Sequence, residues 1–258
     1  IRMQRPDPTK LSDGEIAAAI SRDLKPIETI AGEFGLCPKE LIPYGRHVAK
    51  VDHAAVMARI PRPEAHYIDV TAITPTPLGE GKTTTTLGLV QGLGAIGQRA
   101  SGAIRQPSGG PTFNIKGSAA GGGLAQCLPL EPLSLGLTGD IDNVTNANNL
   151  AMVALTARMQ HERNYDDARL ARSGLKRLDI DPARVQMRWA MDFCAQSLRN
   201  IVMGRGGPRD GYEMESGFMI SVGSEVMAIL AVATGLDDLR RRMGRIVVAR
   251  DRAGRAVT

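Results

Sequence analysis

With 258 residues, 43% of them hydrophobic and 23% charged, the chain has the makeup of a soluble globular protein and length enough for one large domain or two small ones. No apolar run approaches the roughly 20 residues that cross a bilayer, so no membrane partner is expected. The net charge of +5 comes from scattered basic residues and aromatics are only 3% of the chain, so a small anionic ligand is expected and a nucleic acid is not.

The N-terminal IRMQRPDPTK is polar and lacks the apolar core of a secretory signal, which predicts a cytoplasmic protein. Its first residue is Ile1 instead of methionine, which points to a start further upstream. Cys37, Cys127 and Cys194 form an odd, widely spaced set without a CxxC pair, as in a reducing compartment. His47, His53, His66 and His161 show no HxxxH or HExxH spacing, so no dedicated transition-metal site is expected.

In chain order, SDGEIAAAISRDLKPIETIAGEFG predicts two helices divided at Pro26, with Ser12 as N-cap, Glu15 three residues on and a stop at Gly35. AHYIDVTAIT, residues 65–74, predicts a strand that runs into TPTPLGEGKTTTT; a helix over TTTTLGLVQGLGAIG follows. Residues 101–123 are a glycine-dense loop, long enough to suggest function. LEPLSLGLTGD predicts a buried strand that ends on Asp140, and NNLAMVALTARMQHERN predicts a helix. VQMRWAMDFCAQSLRNIVMG is mixed, with a helix expected around 194–201 and Trp189 in a packing role. SEVMAILAVATGLDDLRRRMG predicts a helix capped by Ser224, its LRRRMGR run a solvated face. RIVVARDRAGRAVT predicts a strand, a turn and the start of a second strand, a poor place for a domain to end. The alternation of strands and helices predicts an α/β protein on a mainly parallel sheet.

The common phosphate-loop pattern is G-x-x-x-x-G-K-[ST]. Gly81, Lys82 and Thr83 supply its second half, and Thr76 stands where the first glycine belongs. Gly79 and Gly81 let successive backbone N–H groups turn inward on an anion, and the helix dipole adds to the same spot. Lys82 then contacts the β- and γ-phosphates, and the Thr83 hydroxyl is offered to Mg2+. Glu80 is not needed for this cradle and is expected to face solvent or a neighbouring loop. A plain glycine turn with a surface lysine is the competing account; the strand–loop–helix order favours the nucleotide.

Asp140, at the tip of the expected strand, suits a metal-holding or water-holding carboxylate, or equally a helix N-cap. Arg105, in the rigid IRQPSGGP loop, suits a bidentate clamp on a carboxylate or phosphate, with an ordinary salt bridge as its alternative. Lys116 in NIKGSAAGGG is a weaker anion-site candidate.

TAITPTPLGEGKTTTT, AIRQPSGGPTFNIKGSAAGGG, LTGDID, ANNLAMVAL and SEVMAIL, in this order, resemble segments of formate–tetrahydrofolate ligase (10-formyltetrahydrofolate synthetase). The resemblance runs from YGRHVAKV to the last residues, and a threonine-proline start to the phosphate loop is a habit of that family. It implies a P-loop NTPase-like α/β fold, with a mainly parallel sheet flanked by helices. It also implies a reaction: ATP, formate and tetrahydrofolate give 10-formyltetrahydrofolate, ADP and phosphate through formyl phosphate, as part of one-carbon metabolism. By the same resemblance Thr76, Pro77, Leu78, Gly79, Glu80, Gly81, Lys82 and Thr83 bind ATP, with Lys82 on the transferred group. Arg105 holds formyl phosphate, and Asp140 acts near the metal or the incoming amine. Mg2+ with ATP, a monovalent cation such as K+ or NH4+ and a homotetramer are also implied. Gly136, Asp142 and Asn148 stand where many family members have histidine, so no histidine role carries over there. The family's chain is longer, and its pterin pocket lies beyond residue 258. Residues 1–258 are thus expected to be the N-terminal, nucleotide-handling region of such a ligase; a nucleotide-binding module without turnover of its own is the alternative.

Overall fold

The computed structural model describes residues 6–60, 65–74, 76, 79–106, 109 and 120–258, which fall into two compact units, Ile1–Thr138 and Gly139–Thr258. Both mix helices with small sheets, as an α/β protein should.

The first unit opens with α1 (Asp13–Ile20), whose capping box is complete. Ser12 Oγ accepts the Glu15 N–H and Glu15 Oε2 accepts the Ser12 N–H, so two otherwise unpaired donors are satisfied reciprocally. Pro26 precedes α2 (Ile27–Glu33), and Gly35 ends it at a positive φ of 82° that only glycine adopts without cost. The hairpin of β1 (Leu41–Pro43) and β2 (Ala49–Val51) leads to α3 (His53–Arg59). The fully buried Glu40 fastens α3 by accepting two hydrogen bonds from the Arg59 guanidinium, at 2.6 and 2.8 Å. That guanidinium, seconded by the Cys37 N–H, holds the Glu40 carboxyl down at about 2.

Next comes α4 (Lys82–Ala95), closed by Gly97 at positive φ. Against it packs the hairpin of β3 (Gly121–Gly122) and β4 (Ala125–Gln126), tied by a 2.8 Å bond from Gln91 Nε2 to the Leu124 carbonyl. The same hairpin is fixed to α1, since Asp13 Oδ1 accepts the Gly123 N–H at 2.7 Å. A short α5 (Leu130–Ser134) completes the described part of this unit.

The second unit is organised on α6 (Asp140–Asn164), 25 residues long. Ile141, Val144, Asn148, Met152, Leu155, Met159 and Glu162 are buried at spacings of three and four, one stripe of a helix. Met152, Leu155 and Met159 form a core with the three-stranded antiparallel sheet β11–β10–β5, made of β5 (Ile180–Val185), β10 (Ala249–Asp251) and β11 (Ala256–Val257). After α6 comes α7 (Asp167–Arg172). Val144 instead packs with α8 (Glu225–Val232), capped by Ser224, and with Met243 of α9 (Leu236–Met243). Two further pairs are β6 (Trp189–Ala190) with β9 (Phe218–Met219), and β7 (Ile201–Met203) with β8 (Met214–Ser216).

Three local expectations, those for residues 65–74, 130–140 and 194–201, are corrected. The residues of AHYIDVTAIT form no strand: Tyr67, Ile68 and Ile73 are exposed, whereas a parallel-sheet strand is covered on both faces. Among the described residues five of the six strand pairings are antiparallel, and only β6–β9 is parallel. LEPLSLGLTGD is helix α5 and a turn, because Gly136 and Gly139 adopt positive φ that breaks an extended run. The helix expected around 194–201 is one 3-10 turn, Gln196–Leu198, before β7. The basic run of α9 does face outward, with Arg241 and Arg242 bonded to the buried Asp238. Trp189 packs on the core of α6, as expected.

Candidate functional site

The phosphate-like loop is built by two turns. Thr76 and Gly79 close the first: the Gly79 N–H donates to the Thr76 carbonyl and Thr76 Oγ1 donates to the Gly79 carbonyl, both at 3.1 Å. The threonine hydroxyl thereby does locally what the missing glycine cannot. Gly79 (φ 87°) and Gly81 (φ 74°, ψ 19°) are both left-handed, which turns the chain sharply into α4.

Gly81 is the N-cap and has no side chain to cap the helix, and the first intrahelical bond runs from the Thr85 N–H to the Gly81 carbonyl. The amides of Lys82, Thr83 and Thr84 therefore have no acceptor within the helix, and 14 residues of aligned dipole end there. Thr83 is the second helical residue, and its hydroxyl has no hydrogen-bond partner among the described residues. That leaves the hydroxyl fit to serve as one oxygen ligand of a magnesium ion. Among the described residues no group of three His, Cys, Asp or Glu side chains could hold a metal unaided.

Glu80 departs from expectation. It faces neither solvent nor a neighbouring loop but its own loop: Oε1 accepts the Thr76 N–H at 2.5 Å and Oε2 accepts from Lys82 Nζ. Its side chain is only 12% exposed, against 46% for Lys82. The ammonium of Lys82 first, and the Thr76 N–H second, hold the Glu80 carboxyl down at about 2. Pro77, Leu78 and Lys116 lie outside the described residues.

Arg105 sits on a segment fastened on both sides. A Cβ on Gly102 would lie 3.3 Å from Val90 and 3.5 Å from Thr86, so this stretch runs against α4 one to two turns past Lys82. Gln106 Nε2 donates to Thr138 Oγ1 at 3.1 Å and to the Leu133 carbonyl at 3.3 Å, which ties the other side to the end of α5. Arg105 itself is exposed and has no ion pair or hydrogen bond among the described residues. Among the described residues nothing occupies this guanidinium, as a clamp for a small anion requires, and the salt-bridge alternative has no partner among them.

Asp140 belongs to the second unit, where it is the first residue of α6 and not a strand tip. The N-cap is Gly139, one residue earlier than the capping alternative placed it. Asp140 and the exposed Asp142 both lie in the first turn, where negative charge suits the helix dipole. Asn148 is buried and structural: its Nδ2 donates to the Arg188 carbonyl at 2.9 Å. Asn149 pairs with both the N–H and the carbonyl of Ala190, at 2.8 and 3.0 Å. The asparagine pair in ANNLAMVAL thus docks β6 on α6, a role that two adjacent amides within a helix pattern could have suggested. A cavity of about 1050 Å3 in the first unit lies along the distal half of α4, lined by Ala18, Ala19, Gly88, Gly92 and Ala95, and is separate from the loop.

Comparison with known proteins gives these features a context. The family model for formate–tetrahydrofolate ligase matches residues 11–258. A formate–tetrahydrofolate ligase of Dehalococcoides mccartyi (strain CBDB1) is 67% identical over 244 residues, 94% of this chain and 41% of its own. Another from Dehalococcoides mccartyi (strain ATCC BAA-2266 / KCTC 15142 / 195) is 65% identical over 98% of this chain and 42% of its own length. That of Desulforapulum autotrophicum is 62% identical over 98% of this chain and 44% of its own. The chain therefore spans about two fifths of the length of the relatives it matches. Since the match extends through the glycine loop, the anchored Arg105 segment and all of α6, the chain belongs to the formate–tetrahydrofolate ligase family.

Proposed function

We propose that this chain is the N-terminal, nucleotide-handling region of an enzyme that ligates formate to tetrahydrofolate at the expense of ATP. The observation that carries the reading is the glycine loop at the uncapped start of α4, with Lys82 and Thr83 as its first helical residues, in a chain of this family. Thr76 to Thr83, including Pro77 and Leu78, would wrap the phosphates; Lys82 would take the transferred group, and the Thr83 hydroxyl would help hold a Mg2+ that neutralises phosphate charge.

Formate is a poor electrophile until one of its oxygens becomes a phosphate leaving group. In the first step a formate oxygen bonds to the γ-phosphorus while the bond from that phosphorus to the bridging oxygen breaks, releasing ADP. In the second, the folate N10 attacks the formyl carbon, phosphate leaves and N10 loses its proton. Both steps move negative charge, so fixed cations aimed at the phosphoryl oxygens are the main catalytic requirement. Lys82 meets it at the γ-phosphate, and Arg105 holds formyl phosphate through two parallel hydrogen bonds. Asp140 acts at the metal or the incoming amine.

The finer architecture is also our reading: a P-loop NTPase-like, mainly parallel sheet flanked by helices in the whole protein. A bound K+ or NH4+, a homotetramer and a cytoplasmic location go with it; no helix among the described residues is long and apolar enough to cross a membrane. A second reading, a nucleotide-binding module without ligase turnover, applies to these 258 residues taken alone. It is favoured by their spanning two fifths of the relatives' length. The test is formate-dependent ADP release by the full-length protein, with and without tetrahydrofolate. Formate-dependent release that tetrahydrofolate increases supports the ligase, and ADP release indifferent to formate refutes it.

A further inference from the structure

Glu80 is unusual in a loop meant for phosphate, because it adds a negative charge to the place that must receive several. Its carboxylate uses both oxygens on the loop's own donors. One takes the Thr76 N–H from the loop's start and the other takes Lys82 Nζ from its end. The donors lie four residues before and two residues after Glu80, so the carboxylate closes the loop on itself. At 12% exposure it is seated in the loop, not waving over it.

We propose that Glu80 is an internal anion that fills the Lys82 seat in the nucleotide-free protein and admits only a polyphosphate. A ligand that claims Lys82 must displace this carboxylate. A polyphosphate does so because it also gains the unpaired amides of the first turn of α4, the helix dipole and a metal ion. A single carboxylate or halide gains only the lysine and merely replaces one anion by another. The device matters for this reaction because one substrate is itself a carboxylate: formate on Lys82 would compete with ATP for the same ammonium. Glu80 thereby acts as a specificity-determining residue that keeps formate out of the ATP seat.

This inference rests on reading the loop as the ATP site, and the experiment separates the two. Binding of MgATP, and of inorganic tripolyphosphate as a probe lacking the base, is measured by calorimetry on the full-length wild-type protein and on its E80Q, E80D and K82A variants. Each titration is repeated with added formate. Gln is isosteric and keeps an acceptor for Thr76; Asp keeps the charge but is one methylene too short to hold both donors. We expect E80Q to bind both ligands roughly three- to fivefold more tightly, the range of a partly exposed ion pair, with E80D between it and wild type. Formate should compete with ATP in E80Q and leave wild type unaffected. Equal or weaker binding by a folded E80Q, or equal formate sensitivity in the two proteins, overturns the role of Glu80 while leaving the ATP site standing. If wild type binds neither ligand, or K82A binds as wild type does, the loop assignment itself fails.

Discussion

The buried carboxylate of Glu162 fastens the entrance to β5, and its removal has a calculable effect. It is buried and accepts three hydrogen bonds: from Arg158 Nε at 2.8 Å, the Leu178 N–H at 2.8 Å and the Asp179 N–H at 2.9 Å. The two amides belong to the turn that leads from α7 into β5, where Asp179 is held at a positive φ of 54°. Replacement by alanine leaves two backbone donors without their acceptor, while Arg158 keeps its bond to the Lys176 carbonyl. At about 1–1.5 kcal/mol for each stranded donor, plus part of the lost ion pair, Glu162→Ala should cost about 3 kcal/mol. A chain of this length melts about 2–4 °C lower per kcal/mol, so the midpoint should fall by roughly 6–12 °C. Glu162→Gln, which keeps one acceptor, should lose about half of that. Thermal unfolding followed by circular dichroism gives the stability, and amide hydrogen exchange at Leu178 and Asp179 locates the effect. A midpoint within about 2 °C of wild type, or unchanged exchange at those two amides, would refute the reasoning.

Two further outcomes are expected. Arg105→Lys keeps the charge but loses the planar fork, so turnover should fall about tenfold or more while ATP affinity stays within about twofold; steady-state kinetics beside calorimetry decides, and normal turnover removes the clamp. Glu40 titrates near 2 when folded against 4.5 unperturbed, so its contribution to stability is complete above about pH 4.5 and is lost as pH falls towards 2. Denaturant melts between pH 2 and 6 should therefore show a shallower acid limb in Glu40→Gln than in wild type; identical limbs would remove Glu40 from the acid response.

Elements whose causes are local were legible in the sequence. The Ser12–Glu15 capping box, the break at Pro26, the stop at Gly35, the Ser224 cap and the terminal hairpin all form as their residues dictate. Elements that depend on distant partners were not. The β-rich composition of residues 65–74 makes a strand only where a neighbour supplies hydrogen bonds, and no described residue does so. LSLGLTGD was apolar enough for a strand, but Gly136 and Gly139 turned it into a helix entrance and moved Asp140 onto α6.

The site was legible to a similar depth. Spacing alone located Gly79, Gly81, Lys82 and Thr83 at a strongly turned helix start, which the structure shows. What spacing missed was Glu80, because nothing in a pattern of glycines says where an intervening carboxylate will turn. Arg105 was singled out for its loop, and the anchors at Gly102 and Gln106 that fasten that loop are tertiary features.

The role of Lys82 as a ligand of the ATP phosphates is tested most directly by equilibrium binding of MgATP to wild type and Lys82→Ala, which needs no turnover. Removing a charge-assisted contact to a phosphate should weaken binding roughly 10- to 100-fold with the fold intact by circular dichroism. A folded Lys82→Ala protein that binds ATP as tightly as wild type would contradict the account.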